Sequence, residues 1–164
     1  MKHITIVAGS NGKNLALAQQ FKEHLEGQGH KVSLLDLVAA NLPLYSPAQH
    51  GKLSGADVVA PFLDALSATH FVFCSPEYNG ANTPVLSNFI AWCSTSAKDW
   101  RVHFNGKRCA IATFSGGDGF QALMMMRMQL SYIGMNVVGR QINVSNHKAL
   151  DPKALEDVCK QLLG

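Results

Sequence analysis

Five short apolar runs punctuate the chain, and helical patterns fill the intervals between them; few folds satisfy that alternation. The runs are HITIVA (3–8), KVSLLDL (31–37), HFVFC (70–74), RCAIATF (108–114) and VVGRQINV (137–144). Residue spacing predicts helices at roughly 13–26, 58–68, 84–97, 120–133 and 152–163. Alternating strands and helices are expected to form a parallel α/β sheet with helices on both faces, because each crossover must return over the sheet before the next strand begins. The first and third runs are almost continuously apolar, as strands covered on both faces must be, and are expected at the centre.

The 164 residues, 47% of them hydrophobic, suffice for one domain spanning 1–164 with a substantial core. Charged residues make up 15%, the formal charge is +3, and there is no run of Lys or Arg, so nucleic acid is not an expected partner. No apolar stretch is long enough to cross a membrane, and the run in MKHITIVAGS is too short for a secretory leader, which reads as a cytoplasmic protein. Cys74, Cys93, Cys109 and Cys159 are widely spaced, mostly within apolar segments, and are expected as buried free thiols. Neither they nor the seven histidines show metal-ligand spacing, so no metal is expected.

Two helix starts are marked by a capping residue and a proline, Thr83–Pro84 and Asp151–Pro152. The one long irregular stretch, AANLPLYSPAQHGKLSG (39–55), is long enough for a functional loop, with a plain connection or a mobile lid as the alternatives.

Open parallel sheets bind ligands beyond the carboxyl ends of their strands, where the strand order reverses. Three loops are expected there, all rich in small residues: GSNGKN (9–14), SPEYNGANT (75–83) and SGGDG (115–119). The first can surround a phosphate with the Ser10 hydroxyl, the amides of Asn11 and Asn14 and backbone N–H groups at a helix start; it serves equally as a capped turn. It matches neither G-x-x-x-x-G-K-[ST] nor G-x-G-x-x-G. The third offers backbone donors to the edge of a planar heterocycle, or is a simple glycine turn capped by Ser115 or Asp118. The second combines rigid Pro76, polar Glu77, aromatic Tyr78 and the turn-forming pair Asn79–Gly80. Such a loop can border a ring system; a turn with an exposed Glu and a packed Tyr is the plain alternative.

PEYNG followed by the helix TPVLSNFIAW resembles the PEYNGxxxxxLKNxIDW signature of the NADPH-dependent FMN reductase family, flavoenzymes that include quinone, azo-dye and chromate reductases. The GS loop, the LPLY segment (42–45) and the glycine loop after the fourth strand extend the resemblance over nearly the whole chain. It implies a flavodoxin-like three-layer sandwich with a five-stranded sheet in the order 2-1-3-4-5. It also implies that Ser10, Asn11, Lys13 and Asn14 hold the FMN phosphate, that Pro76, Glu77, Tyr78 and Asn79 line the isoalloxazine and ribityl side, and that Ser115, Gly116 and Gly117 meet the pyrimidine edge. The family's first loop commonly reads G-S-x-R-x-x-S-x-N; GSNGKN is shorter and lacks the Arg and the second hydroxyl, leaving Lys13 and Asn14 to substitute.

The resemblance therefore implies an FMN-dependent oxidoreductase that passes electrons from NADPH or NADH to a small-molecule acceptor such as a quinone, azo compound, flavin or chromate. The chemistry would reside on the flavin, with no catalytic side chain of the protein's own. Tyr78 and Tyr45 either border the open face or pack. Lys13, Arg101 and Lys107 are the cations available for a 2′-phosphate. The competing reading is a flavodoxin-type single-electron carrier, against which the net charge of +3 argues, since such carriers are strongly acidic. A homodimer or homotetramer is implied, and FQALMMMRMQLSYIG (120–134) is apolar on more than one face, as either a subunit contact or a deep core helix would be.

Overall fold

The computed structural model describes residues 1–164. Its sheet is wholly parallel: β1 (His3–Ala8) lies between β2 (Lys31–Asp36) and β3 (His70–Cys74), and β3 pairs in turn with β4 (Arg108–Ser115). The order 2-1-3-4-5 holds, with one correction at the fifth position. Two short strands share it: β5 (Asn136–Val137) pairs with the start of β4 and β6 (Ile142–Ser145) with its end. Val137 stands opposite Cys109 and Ile142 opposite Ala112, so the outer strand spends five steps where β4 spends three. The excess residues leave the ladder as a bulge. Arg127 fastens that bulge, donating to the carbonyls of Val138 (3.0 Å) and Gly139 (3.4 Å) and to Gln141 Oε1 (3.1 Å).

Side-chain alternation sends β3 to two cores at once. Val72 and Cys74 join Ile4, Ile6, Ala110 and Ala112 beneath α1 (Lys13–Gly27) and the last helix, Pro152–Leu163, through Leu17, Phe21, Val158 and Leu162. Phe71 and Phe73 face the other way, toward Leu86, Phe89 and Trp92 of helix Pro84–Cys93 and Leu123, Met126 and Leu130 of helix Phe120–Tyr132. Every side chain of β3 is buried, as its unbroken apolar run predicts. The four cysteines are buried free thiols; burial pushes those of Cys93, Cys109 and Cys159 up to about 12 and that of Cys74 up as well.

Three helical segments differ from the sequence expectation, each for a local reason. The irregular stretch holds the single-turn helix α3 (Pro47–His50), capped by Ser46, and takes in the end of another, α2 (Leu37–Ala40), which is capped by Asp36 and begins where the second strand was expected to end. The helix expected at 58–68 is broken into α4 (Gly55–Val59), a 3-10 turn (Ala60–Phe62) and α5 (Leu63–Leu66), with Pro61, which has no N–H to donate, inside the turn. The next helix, α6 (Pro84–Cys93), ends four residues earlier than expected. There Ser94, Thr95 and Ser96 each turn a hydroxyl back onto the carbonyl three residues before (2.6, 3.0 and 2.8 Å), occupying the final acceptors. The remaining helices, α7 (Phe120–Tyr132) and α8 (Pro152–Leu163), lie where their patterns place them. No helix is long and apolar enough to cross a membrane.

Candidate functional site

Because β1, β3 and β4 are parallel and adjacent, the loops that leave their carboxyl ends lie side by side. The strand order reverses between β1 and β3, which makes this edge the crevice that open α/β sheets use for ligands. The contact between the first two loops is unusually close. Gly9 donates its N–H to the Cys74 carbonyl at 2.8 Å. A methyl group on Gly9 would lie 2.7 Å from Thr83 Oγ1 and 3.0 Å from Ser75 Oγ. Gly9 thus serves the packing of one loop on the next.

Beyond Gly9, the N–H groups of Ser10, Asn11, Gly12 and Lys13 donate to nothing within the chain, and α1 has no side-chain cap. They form a patch of free donors at the positive end of a four-turn helix. Asn14 is placed differently from its neighbours: it is buried, and its amide makes a reciprocal pair with the backbone of Phe114, Nδ2 to the carbonyl and N–H to Oδ1, both at 2.8 Å. Its polar atoms are occupied in tying α1 to the end of β4. Lys13 is exposed, with its ammonium 2.8 Å from Asn146 Oδ1 and 4.4 Å from the centroid of the Phe114 ring. Its charge stays at the carboxyl edge, on the β6 side of the loop.

In the middle loop, Asn79 (φ 51°) and Gly80 (φ 79°) are consecutive left-handed residues between Tyr78 and Ala81, whose backbones exchange hydrogen bonds of 2.8 and 3.0 Å. This is a type I′ turn, the geometry that an Asn–Gly pair favours. It holds Tyr78 out, 52% exposed. Behind it, buried Ser75 accepts from the Thr83 N–H (3.2 Å) and contacts the Thr83 hydroxyl (3.3 Å). Thr83 occupies the position before α6 as its sequence predicts, but its hydroxyl faces Ser75 and makes no cap.

Glu77 bridges to the third loop. Its N–H donates to Ser115 Oγ (2.8 Å), and its carboxylate accepts from the N–H groups of Gln121 (3.1 Å) and Ala122 (3.4 Å) at the start of α7. Ser115 is buried and also contacts Thr113 Oγ1 at 3.0 Å. The N–H groups of Gly116 and Gly117 are unpaired within the chain, and a Cβ on either would meet open space. The edge thus carries free backbone donors at both ends and an aromatic turn in the middle.

Tyr45 lies apart from the turn. Its N–H donates to Asn88 Oδ1 at 2.7 Å, and its ring packs edge-on against Trp92 with centroids 5.1 Å apart. Asn88 and Trp92 in turn donate to the Pro43 carbonyl (3.0 and 2.7 Å), so the LPLY segment is pinned to α6. Of the three cations named from sequence, only Lys13 stands at this edge. Lys107 immediately precedes β4 and donates to the Leu66 carbonyl at 2.7 Å, and Arg101 stacks on Trp100 in the turn before it, both at the opposite end of the sheet. What sequence reasoning missed was the reach of Glu77 to α7. The only written sign of it was that α7 begins after Gly119, with no capping side chain and no acidic residue in its first turn.

Residues 1–149 match the family described as NADPH-dependent FMN reductase. Among curated relatives, an NADPH azoreductase from Bacillus sp. (strain OY1-2) is 28% identical over 151 residues, which cover 89% of this chain and 76% of the relative. The NADPH-dependent FMN reductase ArsH of Rhizobium meliloti (strain 1021) is 28% identical over 130 residues, 79% of this chain and 52% of that protein, so the chain spans about half of it. Among solved structures, FerB, a flavoenzyme NAD(P)H:(acceptor) oxidoreductase from Paracoccus denitrificans, superposes with a TM-score of 0.70 at 20% identity, covering 85% of this chain and 76% of that one. A flavodoxin from the domain Archaea superposes with a TM-score of 0.63 at 15% identity, covering 98% and 93%, and the fold is flavodoxin-like.

Proposed function

Since this chain belongs to the NADPH-dependent FMN reductase family and is an NAD(P)H-dependent oxidoreductase of that kind, we propose that its carboxyl edge binds FMN across all three loops and passes electrons to a small aromatic acceptor. The observation that carries this reading is the pair of free donor patches, Ser10 to Lys13 and Gly116 to Gly117, on either side of the PEYNG turn. The first patch meets the phosphate with backbone N–H groups and the Ser10 hydroxyl, with Lys13 adding charge at its margin and Asn14 holding the helix start in place. Pro76, Tyr78 and Asn79 form the wall between, with the Glu77 carboxylate engaged by the start of α7, and Tyr78 borders the face where nicotinamide and acceptor are received in turn. At the far end, the Gly116 and Gly117 N–H groups would hold the pyrimidine edge and would stabilise negative charge there.

When bound, FMN would supply the redox chemistry, two-electron transfer from NADPH or NADH to the acceptor. The protein contributes orientation and fixed dipoles, and needs no acid, base or nucleophile of its own. Quinones, azo compounds and free flavins are the aromatic acceptors meant, and the azoreductase relative favours them over chromate. A homodimer is part of this reading, with the outer face of α7 as the contact.

Reconstitution with FMN followed by anaerobic addition of NADPH or NADH tests it. FMN is expected to bind, and its visible absorbance to bleach with one equivalent of the preferred nicotinamide. Failure to bind FMN overturns the reading, and binding without bleaching by either nicotinamide indicates a carrier that takes electrons from another protein.

A further inference from the structure

Helix α7 begins without a cap of its own: Gly119 has no side chain to offer, and no acidic residue occupies the first turn. Its N–H groups at Gln121 and Ala122 are nevertheless satisfied, by a carboxylate from a different loop, Glu77 Oε2 at 3.1 and 3.4 Å. The backbone N–H of the same residue holds Ser115 Oγ at 2.8 Å. One residue of the PEYNG turn therefore grips the glycine loop at both ends, at Ser115 where it leaves β4 and at Gln121 where it has become helix. Between these anchors, Gly116 and Gly117 have no side chains, and their N–H groups make no bond within the chain. Two glycines in sequence have wide backbone freedom, so their direction is set by what holds their flanks.

We infer that Glu77 is a positioning residue: by capping α7 from the neighbouring loop, it sets the aim of the Gly116 and Gly117 N–H groups on the flavin. This rests on the FMN reading above and adds to it a specific division of labour. The Glu77 carboxylate is directed at the positive end of a helix, where an anion is stabilised, and its charge is partly neutralised there. Ordering the donors before the flavin arrives removes that cost from binding.

The test compares Glu77→Ala and Glu77→Gln with the unaltered protein by two readouts. One is the dissociation constant for FMN, from quenching of flavin fluorescence; the other is amide hydrogen exchange at Gln121, Ala122, Gly116 and Gly117 in the flavin-free protein. Glu77→Ala is expected to weaken FMN about tenfold and to speed exchange at Gln121 and Ala122. Glu77→Gln keeps an oxygen acceptor and is expected to recover most of both, falling within about threefold of the unaltered protein. Circular dichroism of the variants verifies folding, and Glu77→Ser, whose hydroxyl is too short to reach α7, serves if the Ala variant fails that check: faster exchange at Gln121 with weaker FMN binding supports the inference, and no change in either overturns it. Weaker FMN binding with unchanged exchange in Glu77→Ala also overturns it, because Glu77 would then touch the flavin directly. Faster exchange with unchanged FMN affinity overturns the coupling. If the unaltered protein binds no FMN, the flavin reading fails together with this inference, and the exchange data still report the cap separately.

Discussion

His70 opens the central strand β3 and is 9% exposed, with Lys2 Nζ 3.3 Å from its Nε2. Burial first, then the charges of Lys2, Arg108 and His30, lower its pKa from 6.5 to about 4. The folded ring is neutral at pH values where the ring of the unfolded chain takes up a proton. The unfolded state therefore gains protons first, and stability falls as pH drops from about 6.5 toward about 4. His3 and His103 shift in the same direction, chiefly through burial. Urea denaturation across this range should show His70→Gln losing less stability than the unaltered protein, by up to about 2 kcal/mol, short of the full shift because the ring edge still meets water. Equal losses would place the titration elsewhere. At this scale the sequence is legible only in part. Asn79–Gly80 announces its turn, because few other residues accept two positive φ angles in succession. Asn14 and Glu77 do not announce theirs, since each is engaged by a segment remote in sequence, Phe114 and Gln121 respectively.

Elements show the same division between local and distant causes. Thr83–Pro84 and Asp151–Pro152 carry the same start signal, yet only Asp151 caps, accepting from the Lys153 N–H at 2.9 Å. Asp151→Ala is expected to cost about 1 kcal/mol, read as a lower urea midpoint with an unchanged slope. A cost within error would show that Pro152 alone suffices to start α8. The ends of helices were harder to read than their beginnings. Pro61 and the Ser94–Thr95–Ser96 run cut helices short through their own hydrogen-bond chemistry, which apolar spacing does not register. The split of the fifth strand was written in VVGRQINV only as an interruption by Gly, Arg and Gln. Its fastening by Arg127 depends on the docking of α7.

For the molecule as a whole, the strand–helix alternation carried the sheet and its layers, and the three loops were legible as the small-residue segments that follow the first, third and fourth strands. The surface was less accessible to such reading. Helix α7 buries Ala122, Leu123, Met126 and Leu130. Its outer face carries Phe120 (51% exposed), Met124 (71%), Met128 (63%) and Tyr132 (78%), a row with a spacing of four that shares one side of the helix. The methionine cluster thus serves the core and the surface together, where sequence left a choice between them. An apolar row of this length beside the Tyr78 turn suits a second copy of the chain, and sedimentation is expected to show a dimer that Met128→Glu converts to monomer with its circular dichroism unchanged. A monomeric unaltered protein at micromolar concentration would remove that contact from the functional reading.

The sheet margin that α7 fastens has a different fate. An outer strand presents a row of free amides and carbonyls on which any stray extended chain can build, and long flat margins invite fibrous association. Here the margin beyond β4 is interrupted after two residues, displaced by its bulge, and has the Val138 and Gly139 carbonyls already claimed by Arg127. The kink that spoiled a simple five-strand count leaves this side of the molecule a poor template for aggregation.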